Sequence, residues 1–166
     1  PWWEAYVRVN RRFAAAAAEA VAPGGTVWVQ DYQLQLVPKM LRELRPDVTI
    51  GYFHHIPFPA YGLYSQLPWR KQVLEGLLGA DVIGFQRVAD AGNFARAVRR
   101  QLRYETRATG LRVPLPGGHT HVAAVQAFPI SIDTASYAEL ARRPEVIARA
   151  AEIREGLGNP RRIVLG

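Results

Sequence analysis

The chain has 166 residues, no cysteine, and a formal net charge of +7 with a sequence pI near 10.2. That length suits one domain with a real core and is short for two, the lack of cysteine excludes disulfides, thiolate metal sites and a cysteine nucleophile, and 49% hydrophobic content excludes a disordered chain. The basic residues are spread over many segments, only Arg96 to Arg103 being dense, and no groove-reading motif or aromatic-basic platform accompanies them, so nucleic acid is not expected, and a site for phosphorylated or nucleotide-linked substrates explains the basic excess equally well.

In chain order, Trp3, Tyr6, Val7, Asn10, Phe13, Ala14 and Ala17 share one face of a predicted helix running to about Val21, and five consecutive alanines favour helix further. Asn10 on that face reads as a polar residue tying neighbouring loops together, a ligand contact being the other reading. Pro23, Gly24 and Gly25 end the helix. Val27, Trp28 and Val29 then form a short β-prone run that stops at Gln30 and Asp31. Leu36, Val37, Met40, Leu41 and Leu44 recur at helical steps, Pro46 closes that helix, and Val48 to Phe53 form a second run that stops at His54 and His55. Both runs read as buried strands. Strand, helix, strand is a β-α-β unit, whose strands are parallel and whose exits share one sheet edge. Asp31 and His55 are therefore expected at the crevice outside the carboxyl ends of the strands, where open α/β sheets bind ligands. Spacing alone leaves Asp31 open between a helix cap and a ligand contact, and His55 open between a functional group and a histidine bonded to backbone.

Ile56-Pro57-Phe58-Pro59 is a stiff loop, with two prolines fixing the backbone and an apolar pair anchoring it. Leu67-Pro68-Trp69-Arg70 starts a helix that turns Trp69, Val73, Leu74, Leu77 and Leu78 inward and takes Gly79 as its C-cap. A third strand at Val82 to Phe85 ends at Gln86, and the next helix, from about Val88 to Leu102, buries Phe94, Ala95, Val98 and Leu102. Asp31, His55 and Gln86 thus stand at three successive strand exits, 24 and 31 residues apart, the periodicity of a Rossmann-like parallel sheet with flanking helices. Tyr104 to Val113 and His121 to Phe128 read as a hairpin joined by Pro114 to Gly118. Asp133 or Thr134 caps a following helix, and Pro144 opens another with Val146, Ile147, Ala150 and Ile153 inward and Gly156 at its end. Arg161 to Gly166 reads as the start of a further strand.

His54, His119 and His121 lie in separate segments without clustered carboxylates, so no metal site is expected, and neither a Walker loop nor G-x-G-x-x-G occurs. No apolar run is long enough to cross a bilayer and the amino end lacks the order of a signal peptide, which makes a cytoplasmic protein without a membrane partner the expectation. Both ends are expected to be cuts through a larger protein.

The ordered blocks W-E-A-Y-V-R-V-N, V-W-V-Q-D-Y-Q-L, I-G-Y-F-H-H-I-P-F-P, L-P-W-R, L-L-G-A-D-V-I-G-F-Q, N-F and F-P-I-S-I-D, spanning nearly all 166 residues, closely resemble the trehalose-6-phosphate synthases. These are retaining glycosyltransferases of the GT-B type, in which two Rossmann-like domains face each other across a cleft. The resemblance implies transfer of glucose from a nucleotide sugar, commonly UDP-glucose, to glucose 6-phosphate without a metal or other cofactor, and it allows a homo-oligomer of the complete protein. It implies that residues 1–160 are the later part of the first, acceptor-side domain and 161–166 the opening strand of the second. By resemblance Asp31 would hold hydroxyls of glucose 6-phosphate, and His55 would contact the transferred glucose at the reaction centre as the catalytic residue. Ile56 would shape the pocket for the acceptor anomer, and Gln86 would line the same cleft.

The chain departs from the family pattern in two places. Gly62 stands where a glutamate is usual after F-P, and His54 replaces the usual apolar residue before the histidine. The glycine-bearing donor loop and the V-D-R-L-D-Y-x-K-G block, whose arginine and lysine hold the donor diphosphate, are not within these residues. Two other readings stand beside this one: a pseudo-glycosyltransferase acting on cyclitol substrates, and a non-catalytic sugar-phosphate-binding module.

Overall fold

A computed structural model describes residues 1–107, 110–114 and 120–164. It divides into two compact units, Pro1–Pro129 and Ile130–Gly166. The first opens with α1 (Trp2–Ala20), followed by β1 (Thr26–Gln30), a 3-10 turn (Tyr32–Leu34), α2 (Val37–Leu44) and β2 (Thr49–His54). Next come α3 (Tyr61–Tyr64), α4 (Arg70–Leu77), β3 (Val82–Phe85) and α5 (Val88–Leu102), then β4 (Thr106–Arg107), β5 (Gly110–Pro114) and β6 (Thr120–Ala127). The strand order is β1-β2-β3-β6-β5-β4. β1, β2, β3 and β6 are mutually parallel, and β5 and β4 extend the sheet antiparallel. This is a Rossmann-like α/β sheet with flanking helices, as the periodicity predicts. A hairpin forms too, but the expected first strand, Tyr104 to Val113, is two antiparallel strands, β4 and β5, of which β5 pairs with β6; β6 also joins the parallel ladder beside β3, so the whole sheet is mixed.

Two expectations about the strands change. β1 is not buried throughout: it forms the edge of the sheet, with Val29 turned to the core and Trp28 69% exposed on the other face. His54 is not a polar strand end. It is the last residue of β2, paired in register with Phe85, and is only 3% exposed.

The core combines Ile50, Tyr52, Leu41, Leu74, Leu77, Ile83, Phe85 and Phe94, with Phe58 of the stiff loop set edge-on to both Phe85 and Phe94. Ala14 of α1 is fully buried there, whereas Phe13, expected on the same face, is 53% exposed. The helical period places Phe13 about 100° from Ala14, which puts it over the rim. Leu44 is likewise exposed, at the last turn of α2.

Gly79 is not a left-handed C-cap, for its φ is not positive. A Cβ on it would lie 2.4 Å from the backbone N and Cα of Lys39, and one on Gly76 would lie 2.5 Å from the Gln35 carbonyl oxygen. The two glycines, Gly76 in the last turn of α4 and Gly79 just past its C-cap, let the start of α2 come down onto the backbone there.

At the amino-terminal edge of the strands, Arg42 and Asp81 form a lock that the sequence did not disclose. Arg42 Nη2 bonds Asp81 Oδ2 at 2.6 Å and Arg42 Nη1 donates to the Val48 carbonyl at 2.6 Å, while Ile50 N donates to Asp81 Oδ2 at 2.7 Å. The charge pair thereby sets the relative height of α2, β2 and β3.

In the second unit, Asp133 caps α6 (Thr134–Leu140) by accepting from the backbone N–H groups of Ala135 and Ser136, one of the two caps foreseen. α7 (Pro144–Gly156) follows, with proline in its first turn. Ile147 and Ile153, expected to point inward, are 56% and 49% exposed, because this small unit has no buried residue on either helix. Residues 161–164 carry no strand, and Leu165 and Gly166, which complete the expected strand, lie outside the described residues. So does His119.

Candidate functional site

The parallel register sets three chemical groups side by side. Gln30 pairs with Phe53 and His54 with Phe85, so Asp31, His55 and Gln86 each follow the end of a strand on the same sheet edge. Asp31 and His55 are brought into direct contact: the His55 backbone N–H donates to Asp31 Oδ1 at 3.2 Å. The His55 ring is held from the other side, where Nε2 meets Gln30 Oε1 at 2.8 Å and the ring lies 4.7 Å from that of Phe53. Ile56 is 45% exposed beside them. Gln86 is half-buried at the neighbouring exit.

Asp31 stands at the N-cap position of the 3-10 turn, yet its side chain makes no capping bond. Its carboxylate accepts from the His55 backbone N–H instead, so the helix-cap reading is not met. The residue also has φ 64° and ψ 177°, a conformation that L residues rarely adopt and that costs of order 1–3 kcal/mol. Such a cost persists only where the surroundings fix the backbone. Upstream, Asp31 N donates to the Phe53 carbonyl at 2.8 Å, so the ladder continues one residue past β1.

The loop after His55 is anchored by residues that sequence reasoning missed. Phe58 is buried, its N–H donates to Asp90 Oδ1 at 3.2 Å, and its carbonyl accepts from Asn93 Nδ2 at 3.1 Å. Asp90 and Asn93 occupy the first turns of α5, more than thirty residues away, so no local pattern could reveal the pairing. Only the N-F block quoted above touched this feature. The prolines stiffen the loop, and α5 fixes where it lies.

Beneath the exit, His54 is enclosed by aromatic rings. Its Nδ1 is 2.9 Å from the Tyr52 hydroxyl, and Phe58 and Phe85 stand edge-on to it at 5.8 Å. Burial holds its pKa below the ordinary histidine value, against the pull of Asp31 and Asp90. The unfolded chain therefore takes up this proton first: the His54 contribution to stability is intact above about pH 6.5 and is lost as pH falls below it, until the folded imidazole also protonates. Urea unfolding of this chain at pH 7, 6 and 5 is expected to lose stability across that window, and His54→Leu is expected to flatten the loss. An equal pH slope in both proteins would count against this placement of the titration.

His121 belongs to the opposite edge of the sheet. Its Nε2 lies 2.9 Å from the Ala80 carbonyl and its Nδ1 3.8 Å from Asp81 Oδ1, remote from His55 in the fold. Among the described residues, no group of three or more histidine, aspartate or glutamate side chains converges as a metal site, and no helix is long and apolar enough to cross a membrane. The exit site can thus offer a carboxylate with a free oxygen, an imidazole of fixed orientation, and a carboxamide on one rim. Such a set binds and orients hydroxyls.

Comparison with known proteins gives one family. The family model described as Glycosyltransferase family 20 matches residues 1–166. A trehalose-6-phosphate synthase of Mycobacterium sp. (strain JLS) is 55% identical over 99% of this chain and 35% of its own length. Among solved structures, the N-terminal domain of Candida albicans trehalose-6-phosphate phosphatase superposes with a TM-score of 0.77 at 31% identity, covering 92% of this chain and 32% of that one. A UDP-forming alpha,alpha-trehalose-phosphate synthase from Burkholderia xenovorans, solved in complex with glucose-6-phosphate, gives a TM-score of 0.72 at 31% identity, covering 90% and 34%. The chain spans about a third of the length of the curated relatives it matches.

Proposed function

The chain belongs to glycosyltransferase family 20, and on that premise we propose that it carries the acceptor side of a cytoplasmic trehalose-6-phosphate synthase, which transfers glucose from UDP-glucose to glucose 6-phosphate with retention. Within this reading, residues 1–160 are the later part of the acceptor-side domain and 161–166 the start of the donor-side domain. The observation that carries it is the pairing of Asp31 with His55 across two strand exits, in a chain whose relatives include a UDP-forming synthase solved with glucose-6-phosphate.

The chemistry divides between the two residues. Asp31 accepts from acceptor hydroxyls through the oxygen not held by the His55 N–H, which fixes the attacking sugar. His55, its ring turned by Gln30, bonds the transferred glucose as the catalytic residue. Ile56 bounds the acceptor pocket and Gln86 the far rim. Retention without a covalent intermediate requires donor and acceptor to be clamped on one face, so positioning and stabilisation of the departing diphosphate carry most of the rate. Neither Asp31 nor His55 need act as a nucleophile.

Calorimetric titration of the longest polypeptide that the gene encodes separates the candidates for the acceptor. Saturable binding of glucose 6-phosphate, not displaced by a cyclitol phosphate, is the expected outcome. Tighter binding of the cyclitol phosphate would move the assignment to the pseudo-glycosyltransferase reading.

A further inference from the structure

The unusual backbone at Asp31 needs support on its downstream side, and α1 supplies it. Tyr6 and Asn10 stand one helical turn apart and together engage four backbone groups in residues 32–36. The Tyr6 hydroxyl donates to the Tyr32 carbonyl at 2.7 Å and accepts from Gln35 N at 3.1 Å. Asn10 is fully buried: its Oδ1 accepts from Leu36 N at 3.0 Å, and its Nδ2 donates to the Gln33 carbonyl at 3.0 Å and to the Tyr6 carbonyl at 2.9 Å. A carboxylate at position 10 could not donate, and a flipped amide would set like groups against each other, so only an asparagine in this orientation meets all three partners. The Leu34 N–H, in turn, donates to the carbonyl of Asp31 itself at 3.1 Å. The path from α1 to the site is therefore continuous: side chains of Tyr6 and Asn10, backbone of 32–36, backbone of Asp31, carboxylate.

We propose that Tyr6 and Asn10 are positioning residues for the acceptor sugar, holding the 32–36 backbone so that Asp31 keeps its positive-φ conformation and its carboxylate stays set beside His55. Neither side chain need touch substrate. The inference rests on the reading of Asp31 as the acceptor-binding carboxylate.

Asn10 is too deeply buried for a clean test, since its truncation strands three partners and endangers folding. Tyr6→Phe removes only the hydroxyl and keeps the ring that stacks on Trp3 at 5.6 Å. In the longest encoded polypeptide, Tyr6→Phe is expected to raise KM for glucose 6-phosphate about ten-fold and leave KM for UDP-glucose unchanged, since small misplacements of a binding group are costly. Added to Asp31→Ala it is expected to raise acceptor KM by less than about two-fold further, because the group it positions is gone. A merely structural role would lower the active fraction, and so kcat, with acceptor KM unmoved. An equal ten-fold effect in both backgrounds, or none in the wild type while Asp31→Ala does raise acceptor KM, would overturn the proposal. If Asp31→Ala itself leaves acceptor KM unchanged, the underlying assignment of Asp31 fails first, and the proposal falls with it.

Discussion

Asp31→Ala in the longest encoded polypeptide is expected to lower kcat/KM for glucose 6-phosphate roughly 100-fold while changing KM for UDP-glucose by less than about two-fold. The size follows from losing a charge-assisted hydrogen bond to a sugar hydroxyl, about 1.5–3 kcal/mol, together with the bond that holds the His55 backbone. Asp31→Asn separates the two contributions. Its amide oxygen can still accept from the His55 N–H while the negative charge is gone, so a loss of about ten-fold is expected. Steady-state kinetics with each substrate varied in turn reads both effects. Acceptor dependence equal to wild type in the alanine variant would remove Asp31 from the site.

Gly79→Ala is expected to destabilise this chain by about 3 kcal/mol, lowering the thermal midpoint by roughly 10 °C. The added Cβ would fall 2.4 Å from the Lys39 backbone and 2.5 Å from the Pro38 carbonyl carbon, and backbone atoms cannot swing aside as a flexible side chain can. α2 would have to lift from α4, opening the core at Leu41, Leu74 and Leu77. Gly62→Ala is the contrast within the same chain. Nothing lies within 4 Å of its Cβ position and Gly62 sits inside α3, so the alanine is expected to gain about 0.5–1 kcal/mol of helix propensity. Thermal unfolding followed by circular dichroism checks the pair, and equal midpoints for the two variants would contradict the close-packing role of Gly79.

What the sequence discloses is what its periods encode locally. The β-α-β step from Val27 to Phe53 has apolar runs of strand length around a helical stripe, and parallel crossover geometry then forces Asp31 and His55 to one edge. The 31-residue step from His55 to Gln86 adds the third exit by the same reasoning. Local patterns could not say what each side chain does with its neighbours. Gln30 reads as the polar end of a strand, but only the folded register sets its amide against the ring of His55. The Asp90 and Asn93 clamp on Phe58 and the Arg42–Asp81 lock join segments more than thirty residues apart. Gly79 looks like a helix terminator because glycine has two distinct uses, positive φ and close approach, and a sequence cannot tell them apart. His54 looks like a polar exit, yet the strand extends through it and buries it among aromatic rings. Asn10 shows the opposite case: an asparagine on an apolar helix face is costly to bury unless every polar atom is met, and two of its three bonds, to the Gln33 carbonyl and the Leu36 N–H, bear out the reading that it ties neighbouring segments together.

The most direct measurement is release of UDP from UDP-glucose, with and without glucose 6-phosphate, by the longest polypeptide that the gene encodes and by residues 1–166 alone. Release by the long polypeptide that requires glucose 6-phosphate, with none from the 166-residue chain, is the expected result, because on the proposed reading these residues carry the acceptor side alone. Glucose 6-phosphate binding without any UDP release by the long polypeptide would contradict the synthase assignment and favour the binding-only reading, and turnover by the 166 residues alone would contradict the division of labour between the two sides.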